Sequence, residues 1–292
     1  MNQILDRNTF KLLRIPFSFF LMPLFLLALS QSEASIFSFN VLVSFFIIHL
    51  LVYPSSNGYN SYIDKDETSI GGLEKPPMPT KNLFYVTVLL DFLAVALALI
   101  LINTLFAICI ILYIAASRAY SSKEIRLKKY PYIGFLIVVF FQGAFTYYMC
   151  YAGITDHALE LKGSVLYLLV ASSFQIAGAY PLTQIYQHQQ DLKDGVTTIS
   201  YKLGYAGTFI FTGIMFGITN VFYLLSFRTM NALNQFYLIQ LFFIPIVVYY
   251  IYWFAKVLRT QDAANFKNTM RMNLIAACCM NSCFVVLYII NH

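Results

Sequence analysis

Between two apolar blocks, IFSFNVLVSFFIIHLLVY (residues 36–53) and LFYVTVLLDFLAVALALIL (residues 83–101), the chain carries NGYNSYIDKDETSIGG (residues 57–72). Each flanking block is long enough for a helix to cross the roughly 30 Å hydrocarbon core of a bilayer. The stretch between them gathers Asp64, Asp66 and Glu67, with Asn57 and Asn60 just upstream. Two spans joined by an acidic segment at a membrane surface is the unit this pattern describes.

Seven further apolar blocks extend it, at about 15–30, 104–117, 132–152, 164–184, 206–227, 235–255 and 272–290. Of the 292 residues, 59% are hydrophobic and 11% charged, where a soluble domain carries about a quarter charged. The expected fold is all-α: a polytopic membrane protein of nine transmembrane helices in one bundle, with a central cavity open to the cytoplasmic side, forming a single domain over residues 1–292. Lipid offers backbone groups no partners, so spans of this composition must be helical. A membrane barrel would alternate polar and apolar residues, and nothing here alternates. The first block resembles a signal peptide, with LSQSEAS (residues 29–35) after it, but Glu33 at the cut site and the immediate second span favour a retained helix. Cys109, Cys150, Cys278, Cys279 and Cys283 lie in apolar blocks without ligand spacing, so they read as small buried residues. Pro16, Pro23, Pro181 and Pro245 are expected to kink their spans.

Nine spans and a cytoplasmic N-terminus put residues 1–14, 54–82, 118–131, 185–205 and 256–271 on one side. That side holds every basic residue of the 19 in the chain except Lys162 and Arg228. The positive-inside rule makes it cytoplasmic. Topology thus accounts for the formal charge of +6, and no nucleic-acid partner is needed. Three long polar loops share this face: an acidic one after span 2, a basic one after span 4, and a second acidic one after span 6.

The first acidic loop reads N-x-x-x-D-x-D from Asn60 to Asp66 and continues into GGLEKPPMPTK. The second reads YQHQQDLKDGVTTISYKLG, Tyr186 to Gly204, with Asp191 and Asp194. Magnesium takes oxygen ligands, often one or two carboxylates plus substrate phosphate. Two such clusters facing one another would hold a lipid-linked diphosphate through bridging magnesium, and a bundle cavity would take the apolar tail. Cations for the remaining phosphate oxygens come from SRAYSSKEIRLKKY (residues 117–130), where Lys123, Arg126 and Lys128 are the candidates.

At these residues the sequence resembles the UbiA-type prenyltransferase superfamily, over most of the chain. That family has nine transmembrane helices, an Asn-Asp-x-x-Asp-x-x-x-Asp motif after helix 2 with an Arg/Lys-Pro-x-Pro element, and an Asp-x-x-x-Asp motif after helix 6. Here NSYIDKDET matches the first through Asn60 and Asp64, KPPMP the element, and QHQQDLKDG the second through Asp191 and Gly195, with KLG at 202–204 closing it. AYSSKEIRLKK is similar to the family's basic stretch after helix 4. The chain departs from the pattern at Ser61, Thr68 and Gln187, where the family has aspartates. Asp66, Glu67 and Asp194 sit at other offsets nearby.

The resemblance implies a magnesium-dependent enzyme that ionises an isoprenyl diphosphate and transfers the prenyl group to an aromatic or lipid acceptor. Asn60, Asp64, Asp66, Asp191 and Asp194 would hold metal, Asp64 and Asp191 being catalytic, and Lys123, Arg126 and Lys128 would bind diphosphate. The alternative is the superfamily's terpene cyclase branch, in which a double bond of the same chain attacks the cation. A transporter would show mid-membrane ionisable groups in matched halves; only Asp91 fits, and no repeat is visible. Asp91 itself reads equally as a cavity group or as a hydrogen-bonded helix contact. His188, inside the second motif, reads as a group supporting the site more than as a proton carrier. With 28 Phe and 22 Tyr, aromatic lining of a tunnel is available, though aromatics are also common at membrane interfaces.

Overall fold

A computed structural model describes residues 6–155, 157–161, 163–193 and 195–292. Among these, nine helices are long and apolar enough to cross a membrane: span 1 Arg7–Ser30, span 2 Phe39–Asp64, span 3 Lys81–Ile102, span 4 Thr104–Ser121, span 5 Pro131–Thr155, span 6 Ser164–Gln184, span 7 Ile199–Thr229, span 8 Leu233–Arg259 and span 9 Phe266–Asn291. Side-chain caps fix several starts. Asn103 accepts from the Phe106 N–H at 2.7 Å, Thr198 from Tyr201 at 3.3 Å and Asn265 from Asn268 at 3.0 Å. Each satisfies a backbone donor the first helical turn leaves orphaned, for about 1 kcal/mol.

Consecutive spans pack side by side, and span 9 returns to span 1, so the helices close a ring. Span 1 is the inner member, 61% buried along its apolar window, whereas spans 3 and 8 are 22% buried and turn residues such as Phe92, Ile100, Leu241 and Val248 outward. That outward apolar surface is what a bilayer covers.

Span 1 is not one straight helix. It runs as Arg7–Leu12, a 3₁₀ segment Ile15–Leu21, and Pro23–Ser30. Arg14 breaks it with a left-handed backbone, φ 49°, and Pro16 and Pro23 stand at the starts of the following segments, where proline costs no hydrogen bond. Span 9 serves the loosened backbone: Asn281 Nδ2 donates to the Phe19 carbonyl at 3.2 Å, and Asn291 Nδ2 to that of Ser30 at 2.7 Å. Pro181 and Pro245 lie inside spans 6 and 8.

Two sequence expectations change. Residues 54–64 are not loop: span 2 continues as helix from Tyr53 to Asp64. Hydropathy ends at Tyr53, but the helical hydrogen bonds do not, and the polar last turns face protein. Cys278 is exposed on span 9, unlike buried Cys109, Cys150 and Cys283. Asp91 takes the second of its two readings. It pairs with Arg118 of span 4 and accepts from Ser55 Oγ of span 2 at 2.6 Å, while Arg118 stacks 3.9 Å over Tyr59. The pair ties three spans together rather than facing the cavity.

Span 5 is interrupted by a π-helical turn, Phe140–Ala144. A Cβ on Gly143 would lie 2.5 Å from Ser173 Cα, so only glycine lets span 6 approach this closely. The freed Ala144 N–H donates to Ser173 Oγ at 3.1 Å. The kink sets the direction of Gln142, about halfway along the span.

Candidate active site

Three segment ends meet on one face of the ring. Span 2 stops at Asp64 because Lys65 adopts a left-handed backbone, φ 54°, and its N–H returns to the Ser61 carbonyl at 3.1 Å. Asn60, one turn earlier, accepts from Ser121 Oγ at the end of span 4, 2.8 Å away. After span 4 the chain turns at Arg126, φ 45°, into the short 3₁₀ turn Leu127–Lys129, which delivers Lys128 onto Asp64 Oδ2. After span 6, the short helix His188–Lys193 carries Asp191, whose N–H bonds the Gln187 carbonyl at 2.9 Å. Gln187 Nε2 in turn donates to the Ser69 carbonyl at 3.2 Å and so joins the two acidic segments directly.

These contacts enclose a cavity of about 190 Å³ lined by Asn60, Asp64, Asp66, Asp191, Arg126 and Lys128. Six of the residues singled out from sequence are therefore brought together. Lys123 is exposed and does not line the cavity. Asp194 lies outside the described residues.

Arg14 also lines the cavity, and sequence reasoning had treated it only as a topology anchor. Its left-handed backbone swings the guanidinium across the end of span 2, where it donates to the carbonyls of Gly71 at 3.1 Å and Asn57 at 3.2 Å. Its Nε is buried with no hydrogen-bond partner. Proline two residues on, at the rim of the first apolar block, was the available signal. Arg14, Lys65 and Arg126 are three of the four non-glycine residues with positive φ among the described residues; Arg14 and Arg126 line this cavity, and Lys65 stands in the chain between its lining residues Asp64 and Asp66. Such backbone costs about 1–3 kcal/mol each and persists where surroundings over-determine it, commonly at binding sites.

On the membrane side, Tyr120 and Tyr180 form the inner wall, hydroxyl against hydroxyl, with Gln184 Nε2 donating to Tyr180 at 2.8 Å. At the outer wall, burial raises the Tyr186 phenol above its ordinary pKa, with Arg14 opposing, so it stays protonated. His188 points away from the cavity chemistry. It shares a hydrogen bond with Ser200 Oγ at 2.8 Å and stacks on Tyr205, and burial lowers its pKa to about 4. It packs the second acidic segment against span 7. Gly204, φ 67°, lets that span bend just beyond this contact.

The donors suit a hard divalent cation. The ligating candidates are oxygens only, and Asp64 Oδ1 is buried without a hydrogen-bond partner, which is costly for a carboxylate unless a cation meets it. No cluster of three or more His, Cys, Asp or Glu side chains poised to hold an ion occurs among the described residues. Magnesium bound through one or two carboxylates and completed by substrate phosphate needs no such cluster.

Among the described residues, nine membrane-length helices close a ring with acids and bases gathered at one face, which defines an integral membrane protein. The profile of the UbiA prenyltransferase family matches residues 20–275, and the chain belongs to that family. No curated protein matches it. Solved structures share the fold: an apo UbiA homologue from Aeropyrum pernix K1 is 17% identical, with TM-score 0.69 over 94% of this chain and 98% of that one. A UbiA homologue from Archaeoglobus fulgidus, bound to GPP and Mg2+, is 15% identical, with TM-score 0.68 over 96% and 99%. A structure described for digeranylgeranylglyceryl phosphate synthase is 18% identical, with TM-score 0.62 over 97% and 98%.

Proposed function

We propose that the chain acts as one catalytic domain over residues 1–292, binding an isoprenyl diphosphate in this cradle and transferring the prenyl group to an acceptor held within the bundle. The observation that carries the reading is the convergence of two acidic segments and one basic turn on a single cavity that shares Tyr120 and Tyr180 with one neighbouring cavity and Tyr180 with the aromatic-lined interior. The structure of a relative with GPP and Mg2+ bound supports the choice of ligand.

Asn60, Asp64, Asp66 and Asp191 would hold magnesium, with Asp194 as a further candidate. When bound, the metal neutralises charge on the departing diphosphate. Arg14, Arg126 and Lys128 bind the phosphate oxygens; the ion pair of Lys128 with Asp64 in the same cavity supports that role. Lys123, exposed, takes no part in this reading. In the reaction, the bond between prenyl C1 and the diphosphate oxygen breaks, and its electron pair leaves with the diphosphate. A new bond forms between C1 and the acceptor atom, and the acceptor's proton passes to diphosphate or water. Tyr120 and Tyr180 present π-faces to the allylic cation and exclude water from it. The face bearing the cradle is cytoplasmic in this reading, because the basic residues other than Lys162 and Arg228 lie there.

The test is incubation of the purified protein with magnesium and isoprenyl diphosphates of graded length, with and without phenolic or lipid acceptors, and product identification by mass spectrometry. Prenylated acceptor and no turnover in excess chelator are expected. Undiminished turnover in chelator overturns the reading. A cyclised product without acceptor replaces transfer with cyclisation.

A further inference from the structure

The last turns of span 2 present Ser56, Asn60 and Asp64 four residues apart, on one face of the helix. Each meets a polar partner from span 4 or from the turn that follows it. Ser56 and Ser117 share a hydrogen bond between their hydroxyls, Ser121 Oγ donates to Asn60 Oδ1 at 2.8 Å, and Lys128 pairs with Asp64. Ser117 and Ser121 are themselves one helical turn apart, so the two spans share a seam whose rungs climb toward the cradle. Asn60 stands in the wall between the cradle and a neighbouring cavity of about 180 Å³ lined by Ser56, Ser117 and Ser121.

From this seam we infer that Ser121 is a positioning residue: it fixes the side-chain amide of Asn60 so that Oδ1 is held ready for a divalent cation in the cradle. The inference rests on reading Asn60 as a metal ligand there.

Three observations carry it. Ser61, next in the chain, is 2% exposed and does not line the cradle, so Asn60 and Asp64 are the two residues span 2 contributes to that cavity. Asp64 attracts a cation by its charge. An amide oxygen has no net charge and contributes only when already aimed; half a turn of the amide presents its N–H groups to the cation instead. Ser121 is 2% exposed, so water does not compete for its hydroxyl. A carbonyl oxygen has two lone pairs, and the Ser121 bond uses one, leaving the other for metal. Finally, the backbone that presents Ser121 is itself held. Arg118, one turn before it, pairs with Asp91 and donates to Ser55 Oγ at 3.0 Å. Rotating span 4 against span 2 breaks an ion pair inside the membrane, where a lone charge is expensive.

The test is a titration with Mn2+ in the presence of geranyl thiodiphosphate, the free ion being followed by electron paramagnetic resonance, so that no turnover is needed. The unaltered protein is expected to bind Mn2+, and Asn60→Ala to bind it more weakly. No binding by the unaltered protein overturns the proposed function and this inference with it; unchanged binding in Asn60→Ala removes the role of Asn60 and this inference alone. Ser121→Ala should weaken Mn2+ binding about tenfold, the low end of what hydrogen-bonded partners of metal ligands contribute. It should add nothing in the Asn60→Ala background, because the hydroxyl acts only through that amide. Ser117→Ala removes the same hydroxyl from a rung that holds no ligand and should change binding less than about twofold. Should Ser121→Ala fail to fold, Ser121→Cys, close in size and a weak donor, must show the loss. A change below about twofold in a folded Ser121 variant, an equal loss with Ser117→Ala, or an undiminished effect in the Asn60→Ala background overturns the inference.

Discussion

Lys128→Met removes the ammonium that answers Asp64 and leaves a buried carboxylate alone. The two side chains are 11% and 9% exposed, so solvent screens the pair weakly. Truncating one partner of such a pair costs about 3–5 kcal/mol, because the remaining charge is uncompensated. For a chain of this length each kcal/mol lowers Tm by roughly 2–4 °C, so the variant should melt about 6–20 °C below the unaltered protein. Millimolar Mg2+ should recover more than half of that loss, since a cation at Asp64 takes the place of the ammonium; the unaltered protein should gain less. The measurement is thermal unfolding in detergent, with magnesium and with chelator, and needs no substrate. A variant melting within about 2 °C of the parent, or one that magnesium stabilises no more than the parent, refutes the reasoning.

Asp64→Ala and Asp191→Ala are each expected to lower diphosphate release more than 100-fold while the protein still inserts and melts cooperatively; near-full activity in either removes its metal role. Gly143→Ala places a methyl 2.5 Å from Ser173 Cα, so spans 5 and 6 must separate, at about 1–3 kcal/mol; an unchanged Tm would show that the approach is not tight. His188, lowered to about 4 by burial, stays neutral in the fold, whereas the unfolded chain binds a proton below about 6.5. Stability should therefore fall as pH drops from about 6.5 toward 4, and His188→Gln should flatten that dependence in melting curves. Parallel slopes for parent and variant would contradict it.

Nine spans were legible because apolar length reports directly on membrane crossing, and the motif residues were legible because carboxylates and cations are rare in such a chain. Their common cavity follows from span parity, which puts Asp64, Arg126 and Asp191 on one face. Hydropathy was blind to the helical continuation from Tyr53 to Asp64, since it measures side chains and not backbone hydrogen bonds. It was equally blind to Arg14, whose reach depends on a left-handed backbone no local pattern demands. Gln142 and the Asp91–Arg118 pair needed three-dimensional neighbours to acquire meaning: one amide faces a cavity, while the aspartate whose two readings stood even in the sequence binds three helices together.

The segmented path of span 1 also bears on how the protein is made. Irregular backbone at membrane depth is tolerated only when protein surrounds it, and the carbonyls of Phe19 and Ser30 receive their donors from Asn281 and Asn291, near the far end of the chain. Span 1 thus waits for the later-made span 9 before its own backbone hydrogen bonds are complete. Assembly is a closure: until span 9 docks, the segmented backbone of span 1 lacks two of its donors.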